Sequence, residues 1–152
     1  MSQTEIVKHY NERWTADQDE TEEQYVPEKY QLGIVVDFLE TLGIDHATEQ
    51  SIFSYPIDVL CANGDETIAI ELKSRNVGKG IQQALRNSDY VDFSFLAVWE
   101  KDVTDRLLER VSDLPIGLLA VGADVEIVSS PDKTAQQLCR RGKVIELVKG
   151  DV

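Results

Sequence analysis

Apolar residues recur every three or four positions in the segment that follows Pro27. They form one stripe, made of Leu32, Val35, Val36, Leu39 and Leu42. A stripe of this kind is typical of an amphipathic helix that buries one side against a core. Pro27 suits the first turn of such a helix, and Gly43 supplies a stop after its last apolar position. The pattern therefore predicts a helix that begins near Pro27 and ends before Gly43.

Three segments of strand character come next, at residues 49–54, 56–61 and 67–73. The second and third segments flank Asn63 and Gly64, a dipeptide that strongly favours the two-residue turn of a β-hairpin. A turn at these two residues would pair Ala62 with Asp65. The sequence therefore predicts a hairpin directly after the first helix and strand.

The rest of the pattern predicts helices at 78–88 and 105–113, strands at 93–99, 116–121, 124–129 and 144–148, and a short helix that opens at Pro131. In the helix at 78–88, Ile81, Ala84 and Leu85 are expected to point inward. The order is helix, three strands, helix and strand, followed by additions. This order predicts an α/β fold in which helices flank a central mixed β-sheet.

The length of 152 residues fits one domain with a hydrophobic core of its own. Residues 1–27 are charged and only weakly periodic, although Ile6, Tyr10 and Trp14 have the spacing of a short helix. We therefore expect an acidic N-terminal extension over residues 1–27 and a single domain over residues 28–152.

No apolar run approaches the ~20 residues that span a bilayer, and the polar, acidic N-terminus is not typical of a secretory signal. The two cysteines, Cys61 and Cys139, lie far apart in the sequence and do not indicate a disulfide framework or a zinc cluster. Both are expected to be small buried hydrophobic residues. These features predict a cytoplasmic protein without a membrane partner.

The charge balance of the chain favours some classes of protein over others. Asp and Glu number 28 and Lys and Arg 15, which gives a net charge of −13. This charge argues against a general DNA-coating protein, because affinity for the phosphate backbone depends largely on basic residues. It argues less against an enzyme, because bound divalent cations supply positive charge at a carboxylate site. Acid-rich, lysine-poor chains are similar to proteins of salt-loving archaea, where molar salt screens charges within ~3 Å; an ordinary acidic mesophilic protein is the alternative.

The predicted hairpin brings together residues that carry chemistry. Its register places Asp58 opposite Ala69 and on the same face as Glu71 and Lys73, because side chains alternate along a strand. The other face is apolar and comprises Ile57, Val59, Cys61, Ile68, Ile70 and Leu72. Two carboxylates roughly 7–8 Å apart between Cα atoms can share one Mg²⁺ or Mn²⁺ ion. Lys73 can neutralise a phosphate or orient an attacking water; the alternative is a surface hairpin with a salt bridge.

The motif Tyr55-Pro56-Ile57-Asp58 is followed, after twelve residues, by Glu71-Leu72-Lys73. This arrangement resembles the signature of the PD-(D/E)XK nuclease superfamily, and residues 28–99 resemble its core in the order of their elements. The resemblance implies a restriction endonuclease-like core and Mg²⁺- or Mn²⁺-dependent hydrolysis of DNA. It implies that Asp58, Glu71 and the Leu72 backbone carbonyl bind the metal and that Lys73 positions the water. The scarcity of basic residues departs from what DNA binding leads us to expect.

Several further positions fit this resemblance. Members often place a Glu on the first helix near the metal, and Glu28 continues the core-facing stripe; a surface residue favoured by the helix dipole is the alternative. Members often carry a Gln or Lys on the second helix, for which Gln83 is the candidate and Gln82 the alternative. Residues that could contact phosphates, or simply cap the helix, are Ser74, Arg75 and Lys79.

DNA is the partner that this hypothesis predicts, with a homodimer or a partner subunit to complete a double-strand cut. Two alternatives belong to other functional classes. The same fold can lose catalysis and serve as a binding or assembly module, or the motif can be accidental in an acidic interaction protein. Retention of Asp58, Glu71 and Lys73 argues against lost catalysis.

Overall fold

The computed structural model describes residues 27–52, 55–134 and 141–150. Its helices are α1 (Glu28–Leu42), α2 (Val77–Asn87), α3 (Asp105–Ser112) and α4 (Arg141–Lys149), and a 3₁₀ turn spans Glu100–Asp102. Its strands are β1 (Asp45–Ile52), β2 (Tyr55–Asn63), β3 (Glu66–Leu72), β4 (Phe93–Trp99), β5 (Gly117–Val121) and β6 (Val125–Ser129).

The six strands form one mixed sheet in the order β1-β2-β3-β4-β5-β6. The first three strands are antiparallel neighbours, β3, β4 and β5 run parallel, and β6 is antiparallel to β5. The parallel connections pass through α2 and α3. The prediction of an α/β fold with a central mixed sheet is therefore confirmed.

Helices cover both faces of this sheet. On one face, α1 contributes to a buried cluster that includes Val35, Val59 and Ile70. On the opposite face, α2 and α3 share a buried cluster with Leu96 of β4, and α4 packs in a cluster with Leu60 of β2. The end of β3 thus lies between α1 on one side and α2 on the other.

The β2–β3 hairpin has a different turn from the predicted one. Asn63 pairs with Glu66, so Gly64 and Asp65 form the turn. A two-residue turn at Asn63 and Gly64 would commonly need positive φ at both residues. Gly64 has a φ of 64°, but Asn63 does not adopt a positive φ. The predicted pairing of Ala62 with Asp65 is therefore wrong.

This turn shifts the register by two residues. Leu60, rather than Asp58, pairs with Ala69, and the regular pairing of β2 with β3 ends at Val59. Continuing the same register past Val59 brings Asp58 opposite Glu71. Because side chains alternate with a period of two, a two-residue shift leaves the paired residues, from Val59 to Asn63, on their predicted faces.

The prediction that Ile57 lies on the apolar face with Val59 is wrong. Ile57 packs in the cluster that contains Leu60 and the α4 residues. The pairing with β3 ends before Ile57, so β3 no longer determines where this part of β2 directs its side chains.

The first helix agrees with its prediction, except that Pro27 precedes it as the N-cap instead of lying in its first turn. Gly43 ends the helix with a left-handed φ of 71°. The following strand begins at Asp45, four residues before the predicted start.

The strand predicted at residues 144–148 is wrong, because these residues form part of α4. Val144 and Val148 are one helical turn apart, and both are buried against the sheet. A short apolar run fits a strand and a buried helix equally well. The short helix predicted from Pro131 is not formed by residues 131–134.

The structure describes two features that the composition raised, a cysteine and the apolar length of the helices. Cys61 is a buried free thiol, and its burial raises its pKa to about 12. No helix in the described ranges is long and apolar enough to cross a bilayer. The predicted helix near Ile6 and the second cysteine, Cys139, lie outside the described residues.

Candidate functional site

The Asp58 carboxylate lies where the pairing between β2 and β3 ends. One position before the last paired residue, Val59, Asp58 Oδ2 accepts a hydrogen bond of 2.9 Å from the Leu72 backbone N–H. A side-chain oxygen therefore takes the place that a backbone carbonyl has in a regular ladder. This bond fixes the half-buried carboxylate beside the end of β3.

Glu71 is the buried member of the candidate pair. Its side chain is only 2% exposed, which is unusual for a glutamate. Glu71 Oε1 accepts a hydrogen bond of 2.9 Å from Asn87 Nδ2 on α2. Asp58 also lies within hydrogen-bonding reach of the Glu71 carboxyl. The structure thus brings the two predicted carboxylates into direct contact.

The electrostatics of this pair follow from its burial. Burial, the negative charge of Asp58 and a hydrogen bond with Asp58 raise the pKa of Glu71 to about 8. Asn87 and Arg86 favour the ionised form and oppose this rise only in part. Two adjacent negative charges are unfavourable in such a place. A bound cation would relieve their repulsion, so the pair suits a positively charged ligand.

Lys73 continues the same face of the chain just beyond β3. Its backbone N–H donates to the Ala97 carbonyl, which holds the residue against β4. Its aliphatic stem lies so close to Gly80 of α2 that a Cβ at that position would approach Lys73 Cγ to 2.5 Å. Gly80 therefore permits the close approach of α2 to the stem that carries the ammonium group.

Glu28 lies at the start of α1, on the opposite side of the pair from α2. Together with Asp58, Leu72 and Glu49, it lines a small cleft. Glu28 Oε1 accepts a hydrogen bond of 3.4 Å from the Ser74 backbone N–H. The predicted neighbourhood of Glu28 and Asp58 is therefore present, with Glu28 also bound to the loop after β3.

The loop from β3 to α2 carries the remaining basic candidates. Arg75 and Lys79 are exposed and Ser74 is half-buried. The cap of α2 is provided by Asn76, whose Oδ1 accepts a hydrogen bond of 3.3 Å from the Lys79 backbone N–H. Arg75 and Lys79 thus lie on the solvent-exposed loop and first turn of α2 that follow Lys73 in the chain.

On α2, the two glutamines differ in their surroundings. Gln82 is exposed and Gln83 is half-buried. Gln83 precedes Asn87 by four residues, so both lie on one face of the helix. Because Asn87 binds Glu71, this face is the one directed at the carboxylate pair. The geometry favours Gln83 over Gln82 as a residue near the site.

Three residues near the carboxylate pair were not predicted from the sequence: Asn87, Arg86 and Glu49. Asn87 and Arg86 act on Glu71 through a hydrogen bond and through charge, respectively. Glu49 lines the cleft with Asp58 and has a φ of 56°, an uncommon conformation for a residue other than glycine. The spacing of Gln83 and Asn87 is a signal that could have revealed Asn87.

No three His, Cys, Asp or Glu side chains converge into a ready-made metal cluster in the part of the chain that the structure describes. Mg²⁺ is commonly bound by one or two protein carboxylates and keeps several waters. The donor set of Asp58 and Glu71 fits such an ion. One oxygen of each carboxylate is bound to an N–H group, of Leu72 and Asn87 respectively.

Comparison with known proteins defines the fold alone. The chain is similar to a solved structure, the SPO1766 protein of unknown function from Silicibacter pomeroyi, with a TM-score of 0.67 and 23% sequence identity. The similarity covers 86% of this chain and 87% of that chain. No family model and no curated protein matches the sequence.

Proposed function

We propose that this protein is a Mg²⁺- or Mn²⁺-dependent deoxyribonuclease with a restriction endonuclease-like core of the PD-(D/E)XK class. The observation that carries the proposal is the contact between the buried Glu71 and Asp58, where β2 separates from β3. Sheet pairing alone does not require a buried glutamate at this point. The order of elements from α1 to β4 supports the same class.

Asp58 and Glu71 would bind the cation through the carboxylate oxygens that the protein N–H groups leave available, with the Leu72 carbonyl as a third ligand. The cation would supply charge stabilisation at the phosphate and a more acidic bound water. Asn87 and the Leu72 N–H orient the two carboxylates. A bound cation would give a function to the contact between Glu71 and Asp58. Without a cation this contact is unfavourable, because like charges disfavour each other's ionisation.

Lys73 orients the attacking water and neutralises charge on the phosphate. Its backbone N–H is bonded to β4, and its stem lies against Gly80 of α2, the helix whose Asn87 binds Glu71. Gln83 lies on the helix face directed at the pair and assists in positioning. Ser74, Arg75 and Lys79 contact the DNA backbone at the mouth of the site. Cleavage would leave 5′-phosphate and 3′-hydroxyl ends, as the resemblance implies.

The expected substrate is a distinctive DNA structure, cut by a homodimer or with a partner subunit. The described domain is small, and specificity in such folds resides in loops and assembly contacts. The net charge of −13 predicts that productive DNA binding depends on divalent cations and on the salt concentration.

Replacement of Lys73 by alanine should reduce cleavage by about 100-fold or more, as loss of a group that stabilises transition-state charge does. The assay measures cleavage of supercoiled, single-stranded and branched DNA with Mg²⁺ or Mn²⁺, from low to molar KCl. Lys101→Ala is the matched control, because Lys101 is an exposed lysine of the 3₁₀ turn.

Cleavage by the wild type and Lys101→Ala, with little by Lys73→Ala, is the expected result. Equal cleavage by all three proteins would remove Lys73 from the mechanism. If folded wild-type protein cleaves none of these substrates under any condition, the binding or assembly module becomes the better account.

A further inference from the structure

One face of α2 carries three buried polar atoms without a hydrogen-bond partner in the described structure. They are Gln83 Oε1, Arg86 Nε and Asn87 Oδ1. Arg86 and Asn87 follow Gln83 by three and four residues, which places each of them next to Gln83 on the helix surface. Buried polar atoms are nearly always hydrogen-bonded to protein or to ordered water. A group of three on the helix that binds Glu71 therefore indicates an environment that further ligands complete.

Asn87 is the central member of this group. Its side chain is fully buried, and its Nδ2 donates the 2.9 Å hydrogen bond to Glu71 Oε1. Its Oδ1 and the Gln83 Oε1 are both acceptors. Acceptors beside a carboxylate suit the hydrogens of water molecules, and most directly those bound to a cation. An apolar residue of similar size would fill the same space without binding Glu71.

The neighbouring Arg86 connects the same helix to the strand that carries Asp58. Arg86 Nη2 donates a hydrogen bond of 3.4 Å to the Pro56 carbonyl, and its guanidinium lies 4.5 Å from the centre of the Tyr55 ring. The C-terminal half of α2 therefore contacts both β3, at Glu71, and β2, two residues before Asp58. Movement of this helix would alter the separation of the two carboxylates.

We infer that Asn87 is a positioning residue for the cation site. It holds one carboxylate oxygen of Glu71 by a hydrogen bond and, together with Gln83, accepts hydrogen bonds from water molecules of the hydrated divalent cation. This inference rests on the proposed function for the identity of its ligand. Asn87 does not bind the metal or the DNA. It determines which Glu71 oxygen faces the ion, and groups that orient metal ligands typically alter metal affinity or activity by about 10- to 100-fold.

The test compares Mn²⁺ binding and DNA cleavage in the wild type, Asn87→Leu and Asn87→Ala. Leucine is close to asparagine in size and removes its polar groups, whereas alanine adds no bulk if leucine does not fit. Gln82→Ala is the control on the exposed side of the same helix. Mn²⁺ binding is followed without DNA by electron paramagnetic resonance, and circular dichroism verifies the fold.

Both Asn87 variants should bind Mn²⁺ about 10-fold more weakly and show a lower kcat at saturating Mn²⁺, with KM for DNA nearly unchanged. Gln82→Ala should behave like the wild type. Folded Asn87 variants with wild-type Mn²⁺ affinity and kcat would overturn the inference and leave the nuclease proposal intact.

The remaining outcomes separate the two proposals. Weakened Mn²⁺ binding in the variants, with no cleavage by any protein, would support the positioning role and contradict the nuclease. A wild type that binds no Mn²⁺ would overturn both.

Discussion

Glu71→Gln should reduce DNA cleavage by at least about 100-fold while leaving the protein folded. Glutamine retains the size of the side chain and an oxygen that accepts the hydrogen bond from Asn87 Nδ2. It removes the negative charge that the proposed cation requires, and a neutral amide is a much weaker ligand than a carboxylate for a hard cation. Initial cleavage rates at saturating Mn²⁺ or Mg²⁺ measure the effect.

The same substitution should stabilise the protein when divalent cations are removed. The pKa of Glu71 is raised from its ordinary value of 4.5 to about 8, chiefly by burial and then by Asp58. The folded state therefore holds a proton that the unfolded state loses, and wild-type stability falls as the pH rises from about 4.5 to about 8. Glutamine does not titrate, so the advantage of Glu71→Gln should grow across this range and level off above it.

Urea unfolding in EDTA at several pH values measures this advantage. Glu66→Gln is a suitable control, because Glu66 lies at the other end of β3 and is more exposed. A pH-independent difference between wild type and Glu71→Gln would contradict the described electrostatics. Retained cleavage in Glu71→Gln would contradict the assigned metal role.

Asp92→Asn should destabilise the folded protein by about 3 kcal/mol at neutral pH, a large share of the stability of a typical domain. The Asp92 carboxylate is fully buried and accepts hydrogen bonds from the Thr67 N–H and hydroxyl, at 2.9 and 3.2 Å. It also accepts two from Arg141 at the start of α4, at 3.0 and 2.7 Å. Asparagine would place an amide donor against these donors and remove the charge that pairs with Arg141.

The destabilisation caused by Asp92→Asn should depend on pH. Burial alone would raise the pKa of Asp92, but hydrogen bonds from Arg141 and Thr67 outweigh it and hold the pKa at about 2. The stabilisation is therefore present above its ordinary value of 3.8 and is lost as the pH falls toward 2.

Urea unfolding of wild type and Asp92→Asn between pH 2 and 7 measures this dependence. The exposed Asp89 provides the control Asp89→Asn, which should alter stability by less than about 0.5 kcal/mol. If Asp92→Asn is as stable as Asp89→Asn at pH 7, the ion pair between Asp92 and Arg141 does not anchor α4.

The sequence predicts much of this fold because, over most of the chain, the spacing of the apolar residues matches the positions that the fold buries. The apolar stripe of α1 and the largely apolar run of β4 each match one kind of element. Over residues 144–148 the spacing of the apolar residues does not distinguish a strand from a helix. Val144 to Val148 is short enough for a strand, and only the packing of Val144 and Val148 on the sheet distinguishes a helix.

The shared face of Asp58, Glu71 and Lys73 was predictable because it depends only on the alternation of side chains. The contact between Asp58 and Glu71 was not predictable, because it depends on whether Asn63 or Asp65 completes the turn with Gly64. A two-residue difference preserves the face and changes the neighbour. Side-chain alternation therefore placed the carboxylates on one face, and the local turn preference gave the wrong partner for Asp58.

The roles of Asn87 and Arg86 depend on contacts between elements that are distant in sequence. Asn87 is 16 residues from Glu71, and Arg86 is 30 residues from Pro56. The helix pattern identifies the inward face of α2 but not which polar side chain meets the carboxylate. Glu49 illustrates a further limit, because its φ of 56° is uncommon for a residue other than glycine and no pattern in the sequence indicates it.

Mn²⁺ binding tests most directly whether Asp58 and Glu71 form a site for a divalent cation. Electron paramagnetic resonance titration of the wild type, Asp58→Asn and the exposed control Asp89→Asn measures it without DNA. We expect one Mn²⁺ bound by wild type and by Asp89→Asn, with affinity at least about 10-fold weaker in Asp58→Asn. Equal Mn²⁺ binding by all three proteins, or none by the wild type, would contradict the proposed site.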